Sequence, residues 1–373
     1  MEVNSLSPDQ LAQLPDSAAI FTLHLIGGGE PYIAKTKRLR SRLERLLNSS
    51  QPIESKRLNL HGKVESIAYT PVYSDFEARY TLYQTLKQAF PTTYRQKLRL
   101  RPAPLIRIAW SNEFPRAVVT RRLSSSVNTS FYGPFPSRKD ADAALHAALD
   151  LHLVRRCSEN LHPDPAHPGC VYGEMDMCLT PCKQKVNAAE YAREAHRLES
   201  FLSTLGESHL NELSAARERA NAALNFEEAA EIHAKWLKTK AAIQTFPDCV
   251  RRLDDDSWNA VLLEPGSSPG SLRLFRIAAA HISPPVEVIL NEAPTGLKQL
   301  GDALRSALDT LPEGAQSSTT ERAEHLSLLQ KWLFSNAKTR SGELVLADPG
   351  SAILSTRRLA HAAERLLVPA PSQ

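Results

Sequence analysis

The sequence has no long hydrophobic run, no apolar leader and little cysteine. No stretch approaches the roughly 20 consecutive apolar residues that cross a bilayer, which excludes an integral membrane protein. The first residues, MEVNSLSPDQLAQLPDS, are polar and lack the apolar centre of a secretory signal peptide. We therefore expect a cytoplasmic protein without a membrane partner, whose thiols stay reduced because disulfides rarely persist in that compartment.

The few cysteines are concentrated in one place. Four of the five lie in a loop-rich segment with the spacing C-x12-C-x7-C-x3-C, at Cys157, Cys170, Cys178 and Cys182. Such a cluster indicates a shared metal centre, and four thiolates suit tetrahedral zinc and an iron-sulfur cluster equally well. Two disulfides or four independent thiols are the alternatives. His162 and His167 lie in the longest gap and could replace a cysteine on zinc, whereas Cys249 stands apart and is expected to be a buried apolar side chain.

Acidic residues are scarce in the first third of the chain. Residues 30–125 contain 19 Lys and Arg against 7 Asp and Glu, a local net charge of +12, whereas the whole chain carries only +4. A polyanionic partner is therefore expected to bind the front of the protein.

The front of the chain shows alternating strand and helix patterns. Residues 18–25 have the β-branched and aromatic content of a strand, glycines follow, and residues 31–34 return, which predicts a hairpin. Residues before about Asp16 are expected to be unstructured. Periodicity then predicts, in order, a basic helix from residue 36, a strand over 67–72, a helix over 74–90 and two strands over 105–110 and 116–123.

This order of elements resembles the GIY-YIG nuclease domain that opens proteins of the UvrC family, the incising subunit of bacterial nucleotide excision repair. The segment FYGPFPS at residues 131–137 is similar to the family's Y-F-G-P-Y-x-S stretch, and the four cysteines fall where the family has its cysteine motif. The resemblance runs from about residue 14 to about residue 245, with a weaker tail beyond.

By this resemblance only part of the nuclease site is present. Tyr32, Lys35 and Arg42 match catalytic residues of the family and are expected to grip a phosphate without cutting it. Four other positions depart from the family pattern: Phe21 and Leu46 stand for tyrosines, Leu82 for the metal-binding glutamate and Gln84 for an asparagine. Because an isobutyl group cannot hold Mg²⁺, a divalent cation is not expected here and the incision chemistry is expected to be lost.

Basic side chains around this domain are predicted to contact DNA. They are Arg38, Arg40 and Arg45 on the first helix and Arg95, Lys97, Arg99 and Arg101 on the connector after the second. Since such contacts neutralise phosphates, DNA affinity is expected to fall markedly with salt.

Three helices are predicted after the cysteines, and the last two meet at Asn225, which forms a capping-box arrangement with Glu228. The segment LNFEEAAEIHA at residues 224–234 resembles the core of the UVR motif, with His233 and Ala234 in place of its Arg-Asp pair. A two-helix hairpin has too little core to stand alone. The resemblance implies that it pairs with a UvrB-like protein; the alternative is packing on its own chain. The predicted partner-binding residues are Leu224, Phe226, Ala229 and Ala230.

These features predict an α+β multidomain protein. The predicted regions are a degenerate GIY-YIG-like domain over 14–100, a small sheet, helix and four-cysteine module over 101–185, a helical region with the UVR hairpin over 186–248, and a C-terminal α/β region over 249–373. The last region resembles the segment between the two nuclease domains of UvrC. The family's RNase H-like domain and helix-hairpin-helix repeats are not expected in this chain.

The resulting hypothesis is a UvrC-like nucleotide excision repair protein that binds DNA and a UvrB-like protein without cutting. The resemblance implies a 4Fe-4S cluster rather than structural zinc at the four cysteines. Two alternatives stay open. One is an active, divalent-metal-dependent DNA endonuclease in which Glu77 holds the cation, and the other is a general nucleic-acid adaptor.

Overall fold

The α+β class predicted from the sequence is confirmed by the computed structural model, whose described residues form twelve helices and three antiparallel sheets. The described residues are 3–4, 8–47, 58–126, 128–253, 258–290, 296–310, 317–336, 340–348 and 353–367. None of the helices within these ranges is long and apolar enough to span a membrane.

The N-terminal unit is a four-stranded sheet in the order β1-β4-β2-β3. The predicted hairpin is confirmed, with Ala19 paired to Thr36 at its open end. The expectation of an unstructured lead before Asp16 was wrong, because β1 pairs with the edge of β4, a contact that local sequence cannot reveal. The elements are β1 (Val3–Asn4), α1 (Pro8–Ala12), β2 (Ala19–Leu25), β3 (Tyr32–Thr36), α2 (Leu39–Leu47), β4 (Val64–Pro71), α3 (Asp75–Ala89) and α4 (Tyr94–Leu98).

The middle unit packs one face of a small sheet, ordered β6-β5-β7-β8, against α5, α7 and α9. Asn187 begins α7 with a complete capping box, in which Asn187 and Glu190 each accept a hydrogen bond from the other's backbone N–H. The elements are β5 (Leu105–Ala109), β6 (Ala117–Thr120), β7 (Thr129–Gly133), α5 (Arg138–Leu149), α6 (Val171–Glu174), a 3₁₀ turn (Pro181–Lys183), α7 (Ala188–Ser203), α8 (Glu207–Ala222), α9 (Phe226–Ile243) and β8 (Arg251–Arg252).

The C-terminal unit is a five-stranded sheet in which β10 pairs with β9, β11 and β12, and β13 closes the other edge of β9. Its outer face packs on α10 and α12. The sequence also predicts a helix from about residue 294 to 311. It is described over Leu297–Asp309, and the ends of the predicted range lie outside the described residues. The elements are β9 (Asn259–Pro265), β10 (Ser271–Ala278), β11 (His281–Ile282), β12 (Val286–Ile289), α10 (Leu297–Asp309), α11 (Thr319–Leu333), β13 (Glu343–Leu346) and α12 (Thr356–Leu367).

One hydrophobic core joins the front of the chain to its end. Phe76, Tyr80 and Tyr83 on α3 are buried against the inner face of the C-terminal sheet, where Phe275 on β10 contacts Phe76 edge to face at a centroid distance of 5.1 Å. Helix α11 packs into the same core. The predicted division of the chain at residues 100, 185 and 248 stays a prediction, but α3 does not fold on the N-terminal sheet alone.

Candidate functional site

The four-cysteine segment is tied to the middle unit by a buried tyrosine and a buried arginine. The hydroxyl of Tyr191, on α7, accepts a hydrogen bond from the backbone N–H of Arg155 (3.0 Å) and donates one to the carbonyl of Pro115 (2.8 Å). The guanidinium of Arg155 donates from Nε to the carbonyl of Phe114 (2.9 Å). These hydrogen bonds hold the start of the segment against the sheet. The loop-rich chain around the cysteines is therefore fixed at its N-terminal end.

The four thiols lie close enough together to affect each other's ionisation. Cys182 is buried and the other three are half-buried. Burial, and to a smaller extent the three neighbouring cysteines, raises the pKa of the Cys178 thiol to about 11, and burial also raises the pKa of Cys182. Two donors point at the sulfur atoms: the backbone N–H of Thr180 at Cys178 Sγ (3.4 Å) and the Arg155 guanidinium at Cys157 Sγ (3.6 Å).

This donor chemistry fits a thiolate-bound metal, because a buried cation and a backbone N–H next to sulfur stabilise the anionic form. Within the described ranges, no group of three or more His, Cys, Asp or Glu side chains is arranged to hold a metal ion. Whether these cysteines bind a metal, and which one, therefore stays a prediction.

The remaining candidate ligands lie as follows. His162 is exposed, whereas His167 is half-buried and accepts a hydrogen bond through Nδ1 from the backbone N–H of Gly169 (2.9 Å). Cys249 is buried in the core shared by α3 and the C-terminal sheet, as expected for a small apolar side chain. Burial raises the pKa of its thiol to about 11.

In the N-terminal unit the structure brings Tyr32 and Arg42 together but not Lys35. Arg42, on α2, donates a hydrogen bond to the Tyr32 hydroxyl (3.3 Å). Side chains alternate along a strand, so Lys35 lies on the opposite face of β3 from Tyr32, where its ammonium pairs with Asp75 at the start of α3 (3.0 Å). The Phe21 ring lies 6.0 Å from the Tyr32 ring, centroid to centroid, and carries no hydroxyl.

Leu82 and Glu77, which the resemblance relates to a metal site, both have partners within the protein. Leu82 packs against Ile20, Val72 and Ala78 in a small apolar cluster. Glu77 is only 3% exposed. Its carboxylate accepts a hydrogen bond from the backbone N–H of Tyr73 (2.8 Å) and forms an ion pair with the guanidinium of Arg273 on β10 (2.8 Å). Leu46 is buried in the core of the N-terminal unit, and Gln84 donates a hydrogen bond to the Tyr80 hydroxyl (3.0 Å).

Most of the predicted DNA-binding residues already have intramolecular partners. Arg38 pairs with Asp16 (2.8 Å), Arg95 with Glu324 (2.5 Å) and Lys97 with Glu30 (3.2 Å). Arg40 donates to the carbonyl of Leu14 (2.9 Å), and Arg45 also has a partner. Arg99 ends α4 in the left-handed backbone region, and both Arg99 and Arg101 are exposed.

The helical hairpin formed by α8 and α9 leaves its tip uncovered. The Asn225 side chain accepts a hydrogen bond from the Glu228 N–H (3.3 Å), so the predicted helix start is confirmed. Ala229 is buried between the helices with Ala220 and Ile232, whereas Ala230 is exposed. Leu224 and Phe226 are 74% and 66% exposed, so two large apolar side chains face solvent at the turn.

Sequence reasoning missed the residues that support these sites. Arg155 and Tyr191 anchor the cysteine segment, and Arg273 forms an ion pair with the Glu77 carboxylate. The two adjacent arginines directly before Cys157 could have indicated the role of Arg155. No local signal exists for Arg273, because its contact with α3 joins distant parts of the chain.

The fold and the cysteine segment define a multidomain α+β protein with a thiol-rich module between a small sheet and a long helix. Residues 103–201, which run from β5 through the cysteine segment to near the end of α7, match the family model described as "UvrC/Cho excinuclease, middle domain". This part of the chain is similar to the UvrC family, which confirms the family resemblance recognised in the sequence. No solved structure gives a significant match.

The similar curated proteins include three named UvrABC system protein C. That of Rickettsia bellii is 24% identical over 74% of this chain and 43% of its own length. That of Ruminiclostridium cellulolyticum is 27% identical over 62% of this chain and 38% of its own length. That of Alcanivorax borkumensis is 31% identical over 54% of this chain and 33% of its own length. The chain thus spans less than half the length of these relatives.

Proposed function

We propose that this chain is a noncatalytic UvrC-like nucleotide excision repair protein that binds DNA and a UvrB-like protein. The observation that carries the proposal is the exposed apolar tip of the helical hairpin in a chain with a UvrC middle domain. Buried apolar positions hold the hairpin together, and the exposed ones extend that surface at the turn. A matching two-helix hairpin would cover Leu224, Phe226 and Ala230 and complete a four-helix bundle.

The loss of incision is supported by the N-terminal unit. Leu82 takes up the position of the metal-binding carboxylate with an apolar side chain. Glu77 is buried and its charge is compensated by Arg273, so a cation would have to displace an existing ion pair. What remains is the Tyr32–Arg42 pair, which can bind a phosphate oxygen but supplies no carboxylate for Mg²⁺. The unit is thus proposed to be a degenerate GIY-YIG domain with a DNA-binding role.

The four cysteines are proposed to hold a 4Fe-4S cluster, with structural zinc as the alternative. Cys157, Cys170, Cys178 and Cys182 would be the ligands. When bound, the group would supply a rigid cross-link between the sheet and α7. Because burial keeps the Cys178 thiol protonated at neutral pH, binding must release protons. Arg155 would offset part of the negative charge of the thiolates.

The partner proposal is tested by co-purification of the full chain with a UvrB-like protein. Leu224→Ala and Phe226→Ala together should abolish co-purification without changing the thermal midpoint, since both side chains are largely exposed. Ile289→Ala is the matched control, because Ile289 is 60% exposed on β12, away from the hairpin. Equal capture of the wild type and the double variant would contradict the proposal.

The loss of incision is tested with nicked, damaged and undamaged duplexes in Mg²⁺ or Mn²⁺. The purified chain should leave all of them intact. Cleavage that disappears with Arg42→Ala would instead favour an active endonuclease at this site.

A further inference from the structure

A cleft of about 510 Å³ lies where three distant segments of the chain meet. One wall is the connector after α4, including Arg95 and Leu100, and another is the segment that follows β6, residues 121–125. The first turns of α11 close the third side with Thr319 and Thr320. The two basic segments that the sequence shows apart, before β5 and after β6, therefore converge on one concave surface.

The cleft is cationic. It contains Arg95, Arg121 and Arg122 and a single carboxylate, Glu324. Glu324 is only 6% exposed, and it accepts hydrogen bonds from the hydroxyls of Tyr83 (2.8 Å) and Tyr94 (2.7 Å) and from Arg95 Nε (2.5 Å). These three hydrogen bonds compensate the charge of the Glu324 carboxylate at the floor of the cleft. The bond from Arg95 also holds that arginine in place.

Two arginines remain for a ligand. Arg121 and Arg122 are exposed, and neither forms an ion pair within the described part of the chain. Arg95 keeps 55% of its side chain exposed although its Nε is engaged. Guanidinium groups with unoccupied N–H donors bind phosphate oxygens in a bidentate manner. The cleft therefore favours a ligand that carries a phosphate over an apolar ligand.

The remaining lining suits a nucleotide rather than a bare anion. Leu100, Pro102 and Leu123 provide an apolar wall, and hydroxyls such as those of Ser124 and Thr320 provide hydrogen-bond partners for sugar and phosphate. The volume lies in the range of small-molecule pockets, roughly 300–1,000 Å³, and is far too small for a duplex. An unpaired nucleotide fits both the size and the chemistry.

We propose that this cleft binds one unpaired nucleotide of a DNA strand, with its phosphate held by Arg121 and Arg122. The proposal rests on the proposed DNA-binding function. It adds that this cleft is a DNA-binding surface and that the bound nucleotide is unpaired. Arg95, fixed by Glu324, completes the cationic wall, and the apolar wall lies against the base or sugar.

The test measures binding of the full chain to a fluorescein-labelled oligothymidylate by anisotropy at several salt concentrations. Arg121→Gln with Arg122→Gln should weaken binding about tenfold and reduce the slope of log K against log salt by about 0.7, because the two arginines hold one phosphate and each single-strand phosphate contact contributes about 0.7. The matched control is Arg193→Gln with Arg219→Gln, an equal charge change at exposed positions of α7 and α8. The control should change affinity by less than about twofold.

The charge-conserving variant Arg121→Lys with Arg122→Lys should lose less affinity than the glutamine variant, since Lys keeps the charge but not the bidentate geometry. Equal losses in the cleft and control variants would overturn the cleft assignment and leave DNA binding standing. Binding of duplex without binding of single strands would do the same. A wild type that binds neither would reject the proposed function together with this site.

Competition distinguishes a nucleotide site from a simple anion site. Thymidine monophosphate should displace the labelled strand at lower concentration than inorganic phosphate does. Equal displacement by the two competitors would contradict the part of the proposal that assigns the apolar wall to the base or sugar.

Discussion

Glu77 on α3 and Arg273 on β10 form an ion pair of 2.8 Å that joins the front of the chain to its C-terminal sheet. Arg273 also contacts Glu287 on the neighbouring strand (3.3 Å), and its guanidinium lies 5.2 Å from the centroid of the Tyr73 ring. The Glu77 carboxylate, which the endonuclease alternative assigns to a catalytic cation, is thus part of the junction between two units.

Removing the arginine should destabilise this junction. Arg273→Met leaves the Glu77 carboxylate buried without its partner, and breaking such a pair typically costs about 3 kcal/mol. Urea unfolding followed by tryptophan fluorescence measures the loss. The double change Glu77→Gln with Arg273→Met should recover part of it, because a neutral amide needs no counterion. Arg276→Met, on the same strand, is the control and should cost much less.

Stability should depend on pH through Glu264. This carboxyl is fully buried, and burial raises its pKa to about 8 although the side chains of Ser341, Ser74 and Trp332 act in the opposite direction. Between about pH 4.5 and 8 the folded state holds a proton that the unfolded state has released, so the wild type loses stability as pH rises through this window. Glu264→Gln removes this dependence.

The advantage of Glu264→Gln over the wild type should therefore grow from pH 5 to pH 9 in thermal unfolding. Glu287→Gln should instead be less stable than the wild type at neutral pH, and this difference should disappear as the pH falls below about 4.5. Hydrogen bonds from Ser267 and Ser271 and the charge of Arg273 lower the pKa of Glu287 despite some burial, so its contribution is present near neutral pH and is lost in acid. A constant difference between Glu264→Gln and the wild type across the range would contradict this assignment.

Metal content should depend on Cys178 and not on Cys249. Both thiols have a pKa raised to about 11 by burial, but only Cys178 lies among other cysteines. Anaerobically purified wild type should be brown and contain iron and acid-labile sulfide, which Cys178→Ala removes and Cys249→Ala retains. Loading should fall as pH is lowered because the ligands are thiolates. A colourless protein with stoichiometric zinc would replace the iron-sulfur assignment.

Adjacent alanines on α9 should respond differently to enlargement. Ala229 is 7% exposed and packs against Ala220 and Ile232, so Ala229→Leu overfills the hairpin and should cost about 1–3 kcal/mol. Ala230→Leu lies on the exposed side and should change stability by less than about 0.5 kcal/mol. Far-UV circular dichroism during thermal unfolding compares the two. Equal effects would mean that the hairpin packs differently.

Local patterns were sufficient for most elements of the fold. The β-branched and aromatic content of residues 18–25, followed by glycines and residues 31–34, predicted the first hairpin, and Asn225 marked the start of α9. Strand pairing across a short turn and helix capping both depend on neighbouring residues. The opposite faces occupied by Tyr32 and Lys35 also follow from strand alternation, once the strand is assigned.

The sequence by itself determined the α+β class, the family resemblance and the grouping of four cysteines, since these depend on residue type and short spacing. Only the tertiary structure decided that Glu77 is neutralised by Arg273, that β1 covers the edge of β4, and that two basic segments meet at α11. Those contacts join residues far apart in the chain, and their partners are selected by packing of whole faces. Burial and charge compensation, which decide whether a side chain is available for chemistry, arise only when those faces meet.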